Sequence, residues 1–253
     1  MSKKESPIKT IVVAVILSLV CSVVVSFAAI QLKPTQELNK ELDRKRNILI
    51  AAGLLEQGGT KAEIEELFKQ VETQVVDLST GEFVEPPKDF NQRKFAKNPE
   101  TNKVLEGKAD VASIKKRSTL ANVYLVRDGQ TLETIILPVH GYGLWSTMYG
   151  FLALQPDTTT VVGFKYYEHG ETAGLGGEIE NPTWRAIWPG KEVLNEQGEP
   201  VIKLVKGSAQ NEHQVDGLSG ATLTSNGVEN TLVYWLGEDG FGPFLERVRA
   251  GEI

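Results

Sequence analysis

Between Lys9 and Lys33 the chain reads TIVVAVILSLVCSVVVSFAAIQL, with no charged side chain anywhere in the run. As a helix this stretch is about 34 Å long, enough to cross a hydrocarbon layer of roughly 30 Å. The competing use is a cleaved signal peptide. Lys3, Lys4 and Lys9 give a basic start, and Ser26-Phe27-Ala28 offers small residues where a peptidase would want them. The apolar stretch is long for that role, so an uncleaved single-pass anchor (residues 1–34 with their tail) is expected. Val20 stands before Cys21 where a lipid-attachment site would need a small residue, so the thiol is expected to face lipid. Basic residues flank the span on both sides, with Lys33, Lys40, Arg44, Lys45 and Arg46 after it. Charge counting alone therefore leaves the orientation open, although the close N-terminal cluster and short leading tail suit an N-inside arrangement.

The rest of the composition narrows the function classes. With 253 residues and a formal net charge of −6, the chain is globular and mildly acidic. Its Lys and Arg are scattered among Asp and Glu, without the basic stripe that neutralises phosphates along a duplex, so no nucleic-acid partner is expected. A single cysteine excludes an intrachain disulfide and the four-thiolate sites that hold structural zinc or an iron–sulfur cluster. His140, His169 and His213 lie far apart without a paired spacing, so no metal is expected.

Behind the anchor, TQELNKELDRKRNILIAAGLLEQGG has helical spacing and a Gly-Gly stop. In KAEIEELFKQVETQVVDLSTGE, Ile64, Leu67, Phe68, Val71 and Val75 form one stripe of a second helix. FVEPPKDFNQRKFAKNPETNKVLEG is proline-broken and without period, and reads as a long surface connection. Residues 35–119 are thus expected to be a helical scaffold and connection, and 120–253 a distinct α+β domain. Strand-like runs flank Asp128-Gly129 and then Pro156-Asp157, which predicts hairpins and a mainly antiparallel sheet. VIKLVKG adds a short strand. In NGVENTLVYWLGEDG, Val228, Leu232, Trp235 and Leu236 have helical spacing, with Asn226 and Glu229 set as a capping box. The fold class expected is α+β behind one membrane helix.

Just before that last helix stands DGLSGATLTSNG, residues 216–227. Its small and hydroxylated residues suit an ordinary glycine-rich turn. They do not suit a P-loop, because Ala221 occupies the place of the required lysine. GLGG at 174–177 is too short for a dinucleotide fingerprint. Gly217-Leu218-Ser219-Gly220-Ala221 falls one residue short of the G-x-S-x-G elbow of serine hydrolases, and no histidine follows His213 as that fold would need. A hydrolase using Ser219 and a cofactor-free membrane scaffold remain as readings of other classes.

Asp216 to Thr224, DGLSGATLT, also resembles the motif at which a flavin transferase attaches FMN, through its phosphate, to the threonine after Gly-Ala; here that is Thr222. HGYGLWS at 140–146 and YEHGETAGLGGEI at 167–179 are similar to further stretches of the same family. With the anchor and the helical entry, essentially the whole chain resembles the C subunits of the sodium-translocating NADH:quinone oxidoreductases. Family members often carry proline where this chain has Ala173, but the surrounding Glu-Thr and Gly-Leu-Gly remain. The related G subunits of Rnf-type ferredoxin:NAD complexes share the flavin motif and are the alternative.

The resemblance implies covalent FMN, electron relay inside a six-subunit complex with iron–sulfur and flavin subunits, maturation by a flavin transferase, and a periplasmic domain anchored in a bacterial inner membrane. The subunit itself is not expected to bind NADH or to be catalytic alone. The residues in the motifs suit that chemistry. A phosphodiester at Thr222 would meet the positive end of the following helix. Gly217, Gly220 and Ala221 would let the backbone approach closely, Leu218 lies in the same turn, and Ser219 and Thr224 can donate hydrogen bonds. Asp216 would repel a phosphate, so a turn or cap hydrogen bond, or recognition of the attaching enzyme's metal-bound substrate, suits it better. Tyr142, Gly143 and Trp145 are candidates for a wall beside the flavin ring, where Trp145 competes with an ordinary core role. Glu171, Thr172, Leu175 and Gly176 are candidates for the ribityl chain and ring edge, and Lys206 for the phosphate or the reduced ring, against the plainer alternative of a solvated lysine.

Overall fold

A computed structural model describes residues 6–56 and 58–253, so Lys3 and Lys4 lie outside the described residues. The chain divides into two compact units, residues 1–44 and 45–253. The apolar run and the charged stretch after it form one helix, α1 (Pro7–Ala51), not the two expected. Pro34 lies inside it and removes one helical hydrogen bond without ending the helix. Its large apolar side chains from Ile8 to Leu32 are exposed, and the helix is long and apolar enough to cross a membrane.

In the second unit the last turn of α1 is buried through Ile48, Leu49 and Ala51. Helix α2 (Lys61–Phe68) opens on a capping box, in which Thr60 Oγ1 accepts from the Glu63 N–H at 3.3 Å and Glu63 Oε2 accepts from the Thr60 N–H at 3.4 Å. It stops at Phe68, and Val71 and Val75 belong instead to strand β1 (Val71–Asp77). A spacing of four keeps two residues on one side in a helix and in a strand alike, and the β-branched run VETQVV follows the pairing offered by the sheet.

The proline-broken connection is also more structured than its composition suggests. It holds α3 (Gln92–Phe95) and β2 (Asn102–Val104), and β2 pairs with β3 (Lys116–Ser118). Arg93 fastens the segment to the domain: Nη1 donates to Glu168 Oε1 and Oε2 at 3.0 and 2.8 Å, and the guanidinium lies 3.6 Å from the centre of the Tyr149 ring.

The central sheet adds β4 (Leu120–Asp128), β5 (Thr131–Tyr142), β6 (Thr147–Leu154) and β7 (Val161–Glu168) in the order β1-β4-β5-β6-β7, every pair antiparallel. Both expected hairpins are present. Gly129 takes the left-handed conformation at the first, and Asp157 Oδ1 accepts from the Thr159 and Thr160 N–H groups at the second. Because β1 pairs with β4, residues on both sides of the expected division at 119/120 share one sheet. After α4 (Pro182–Arg185) come β8 (Lys203–Val205) and β9 (Gln214–Asp216), a small parallel pair, and then α5 (Thr222–Leu236) and α6 (Gly242–Arg249). The strand expected in VIKLVKG is β8, whereas α6 has no counterpart in the sequence reading.

One face of the sheet packs against α5, which buries Val228, Leu232 and Trp235 in a core with Leu137, Val139, Leu152, Tyr166 and Phe244. The alternate residues Tyr124, Ile136, Phe151 and Ala153 are buried too. At β7 a Cβ on Gly163 would fall 2.4 Å from the Ala51 carbonyl oxygen, so glycine is what lets the end of α1 lie on this strand. The soluble unit is α+β with a mainly antiparallel sheet, as expected.

Candidate functional site

The three stretches singled out in the sequence meet at the start of α5. This helix begins at Thr222, four residues earlier than the expected Asn226 start, so Thr222 is its first residue. Asn226 is not a cap, and Glu229 reaches sideways to Lys203 Nζ and the Leu204 N–H, both at 2.9 Å. The turn is made differently. Gly220 takes a left-handed φ of 73°, and Ser225 Oγ accepts from the Leu218 N–H at 2.9 Å while donating to the Ala221 carbonyl at 3.1 Å. The hydroxyl reaches back from inside the helix, so a rule that looks for an N-cap side chain cannot see it.

The consequence is an uncapped helix start. Ala221 offers no side-chain cap, and among the described residues the N–H groups of Thr222, Leu223 and Thr224 have no protein acceptor. Such groups, with the positive end of the helix dipole, favour an anion. The hydroxyls of the motif differ sharply in access. Thr224 is 1% exposed and Ser225 is buried, both with their hydroxyls engaged, whereas Ser219 and Thr222 are exposed.

The β5–β6 hairpin turn, residues 143–146, follows Tyr142 at the end of β5, and it is tied down by one carboxylate. Glu171, 8% exposed, accepts from the N–H groups of Leu144 at 3.1 Å, Trp145 at 2.9 Å and Ser146 at 3.3 Å, and from the Thr224 hydroxyl at 2.6 Å. Three successive amides around one anion make a nest. Burial pushes the carboxyl upward, but the Thr224 hydroxyl and the Trp145, Leu144 and Ser146 amides outweigh it and hold Glu171 below the usual carboxylate range. Two glycines make room for it. A Cβ on Gly143 would sit 2.6 Å from Glu171 Oε1, and one on Gly176 would sit 2.5 Å from Thr224 Oγ1 and 2.8 Å from Glu171 Oε2. Ser146 completes the joint by accepting from the Gly170 N–H at 2.6 Å.

Around this joint large apolar side chains stand in solvent. Trp145 is 63% exposed and Leu223 58%, with Tyr142, Leu144 and Leu175 also exposed. In residues 45–253 only Phe83 and Val104 among the described residues are other large apolar side chains so open, so the exposure is concentrated here. Trp145 is therefore not a core tryptophan. Its carbonyl accepts from the Tyr142 hydroxyl at 3.0 Å, and Leu175 Cδ2 lies 3.2 Å from where a Cβ on Gly220 would be. Thr172 is exposed, and its carbonyl accepts from the Leu175 and Gly177 N–H groups to shape the glycine-rich loop.

Asp216 is occupied by the turn: Oδ1 accepts from the Ala209 N–H at 2.6 Å and its carbonyl from Trp184 Nε1 at 2.9 Å. Lys206 is exposed just after β8, whose Val205 carbonyl accepts from the Gly217 N–H at 2.8 Å. Leu144, Ser146, Leu223 and Ser225 belong to the site without being marked out by the sequence. Each lies inside a quoted motif, and only the fold tells which motif positions face the joint.

The three histidines share no site. The half-buried His140 packs its ring between Tyr149 and Trp235. His213 lies beside Glu192 and Glu212, with candidate ligand atoms within 4.8 Å of one another at the surface. A cleft of about 940 Å³, lined by Asp77, Lys103, Arg117 and Arg249, includes none of the motif residues. The site at Thr222 is thus an open apolar surface beside unsatisfied amides rather than an enclosed cavity. That combination fits a group with a phosphate and a flat aromatic ring, and FMN has both.

Comparison with known proteins agrees. The family model described as the FMN-binding domain matches residues 143–237. The chain is 49% identical over 260 residues to the C subunit of the Na(+)-translocating NADH-quinone reductase of Pseudomonas aeruginosa, covering 100% of both chains. It is 50% identical over 257 residues to the protein of the same name from Vibrio vulnificus, again covering 100% of both. The crystal structure of Shewanella oneidensis NqrC superposes with a TM-score of 0.77 at 36% identity, over 84% of this chain and 99% of that one. The C subunit from Parabacteroides distasonis gives 0.64 at 26% identity, over 85% and 96%. Between the two families that share the flavin motif the choice is thereby decided: this chain belongs to the C-subunit family of the Na(+)-translocating NADH-quinone reductases.

Proposed function

We propose that this protein is a membrane-anchored electron-relay subunit of a Na(+)-translocating NADH:quinone oxidoreductase, carrying FMN esterified through its phosphate to Thr222. The observation that carries the reading is the exposed Thr222 hydroxyl at the first position of an uncapped helix, amid exposed Tyr142, Leu144, Trp145, Leu175 and Leu223. Forming the ester would join the Thr222 oxygen to phosphorus and break a P–O bond of the flavin donor, the hydroxyl proton leaving with the departing group. The Thr222 to Thr224 amides would be available to the remaining phosphate charge, as the Ser225 hydroxyl keeps the preceding loop folded back. Trp145 and Leu223 offer apolar surface to a ring, and Ser219 a hydroxyl to the phosphate. Bound there, FMN supplies reversible electron uptake and release.

Tethering suits an open site. A ring held only by an exposed surface would dissociate, whereas a covalent link keeps it at high effective concentration and leaves its edge free for exchange. Helix α1 serves as the single-pass anchor in a bacterial inner membrane, with the domain on the periplasmic side where a flavin transferase acts. Its electron partners are iron–sulfur and flavin subunits of the same six-subunit assembly.

The test is a pair of substitutions in protein produced with the flavin transferase and denatured before analysis. Thr222→Ala is expected to abolish covalent flavin fluorescence, while Ser219→Ala leaves most of it. Equal labelling of Thr222→Ala and the parent would overturn the assignment. Activity lost in Ser219→Ala with mass and colour intact would favour the hydrolase reading instead.

A further inference from the structure

Glu171 is the most heavily bonded carboxylate at the site, and none of its bonds goes to another charge. Its two oxygens take the Leu144, Trp145 and Ser146 amides and the Thr224 hydroxyl. No ion pair to Glu171 is present among the described residues. Neutral donors fix an anion in place without cancelling its charge, so its field extends outward. It also extends towards the proposed redox centre. Thr224 is two residues from Thr222 on the same helix turn, and Leu144 and Trp145 belong to the apolar wall.

A weaker solution to the same structural problem exists. The hairpin turn could be tied to α5 by an uncharged amide side chain, which can accept from backbone N–H groups as well. The fold instead buries a carboxylate to within 8% exposure and omits the side chains at positions 143 and 176 to admit it. Placing an uncompensated charge there is unfavourable unless four donors converge on it.

We propose that Glu171 is a positioning residue with a second effect: it locks the 143–146 turn onto the first turn of α5, and its fixed negative charge lowers the reduction potential of the flavin carried at Thr222. The inference rests on the function proposed above. An electron added to the ring raises negative charge near an existing one, and a unit charge across roughly ten ångströms of partly solvated protein shifts such an equilibrium about tenfold.

The experiment uses the full chain, flavinylated in the cell, and compares potentiometric titrations of the parent with Glu171→Gln and Thr224→Val. Glutamine keeps the shape and can still accept from the three amides, so covalent flavin content is expected to stay the same. The ratio of reduced to oxidised flavin at fixed potential is expected to rise about tenfold, equivalent to about 30 mV for a two-electron couple. Thr224→Val removes a hydroxyl dipole whose positive end faces the carboxylate and keeps the full charge, so the ratio is expected to fall. Opposite signs are not a pattern that general loosening of the fold would give, since loosening moves both variants the same way.

A potential unchanged in Glu171→Gln at full flavin content would overturn the inference, as would loss of covalent flavin in that variant, which would assign Glu171 to attachment. Should Glu171→Gln fail to fold, a rise in the Thr224→Val ratio overturns it and a fall supports it. Absence of FMN on Thr222 in the parent protein is a separate outcome and would sink the underlying function.

Discussion

Helix α5 meets the rest of the domain in opposite ways at its two ends. At the start, Thr222 and Leu223 are exposed, no side chain caps the first turn, and the neighbouring apolar side chains stand in solvent. At the finish, Trp235 and Leu236 are buried against Phe241, Phe244 and Leu245. There the polar groups are used up: Trp235 Nε1 donates to the His140 carbonyl and the Phe241 N–H to the Trp235 carbonyl, both at 2.6 Å. Even the glycines differ in purpose. A Cβ on Gly240 would lie 2.3 Å from the Trp235 carbonyl oxygen, so this glycine closes the core, whereas Gly143 and Gly176 make room for the Glu171 joint. One end of the helix commits its surface to stability, and the other withholds it for a bound group.

If that contrast is right, changes at the two ends separate flavin loading from folding. The largest effect belongs to Thr222→Ala: complete loss of covalent flavin, read by fluorescence of the denatured band, with the thermal midpoint of the apo-protein nearly unchanged. Trp235→Ala is expected to do the reverse. It should cost about 3–5 kcal/mol in denaturant unfolding, as removal of a buried tryptophan does, while the folded fraction still takes up flavin at Thr222.

The buried end also predicts a pH dependence. Burial first, and Arg93 second, lower the His140 pKa to about 4. The unfolded chain protonates this imidazole below about pH 6.5 while the folded one stays neutral, so stability falls as pH drops from about 6.5 to about 4 and levels off beneath. The loss attributable to His140 is about 3 kcal/mol, on the rule of about 1.4 kcal/mol per pKa unit. His140→Phe should remove that slope in urea unfolding measured across the window, and an unchanged slope would contradict the burial argument. The smallest effect is expected for Gly143→Ala, whose Cβ would crowd Glu171 Oε1 at 2.6 Å. A cost of about 1–3 kcal/mol is typical of such overpacking, and amide exchange at Leu144, Trp145 and Ser146 should quicken while that at Trp235 does not.

Much of this arrangement is legible in the sequence. The apolar run, the hairpins at Asp128-Gly129 and Pro156-Asp157, and the three glycine-rich stretches that converge on one site are all local patterns with a physical meaning. The misreadings share a cause. Val71 and Val75 fit either a helix or a strand, and only the partner strand β4 decides. A capping box visible in sequence puts the helix start at Asn226, whereas the Ser225 hydroxyl reaching back to the Leu218 N–H is visible only in three dimensions. Glu171, a candidate for the ribityl chain or ring edge by its motif, also accepts from backbone amides 25 to 27 residues away and from Thr224, partners that no local pattern shows. Long-range satisfaction of polar groups is what single-sequence patterns cannot carry.

The most direct measurement is the mass of the peptide containing residues 216–227 from protein isolated from its native membrane. A fragment series that carries the added mass of FMN from position 222 onward is the predicted result. An unmodified peptide, or a flavin located at Ser219 or Thr224, would contradict the account.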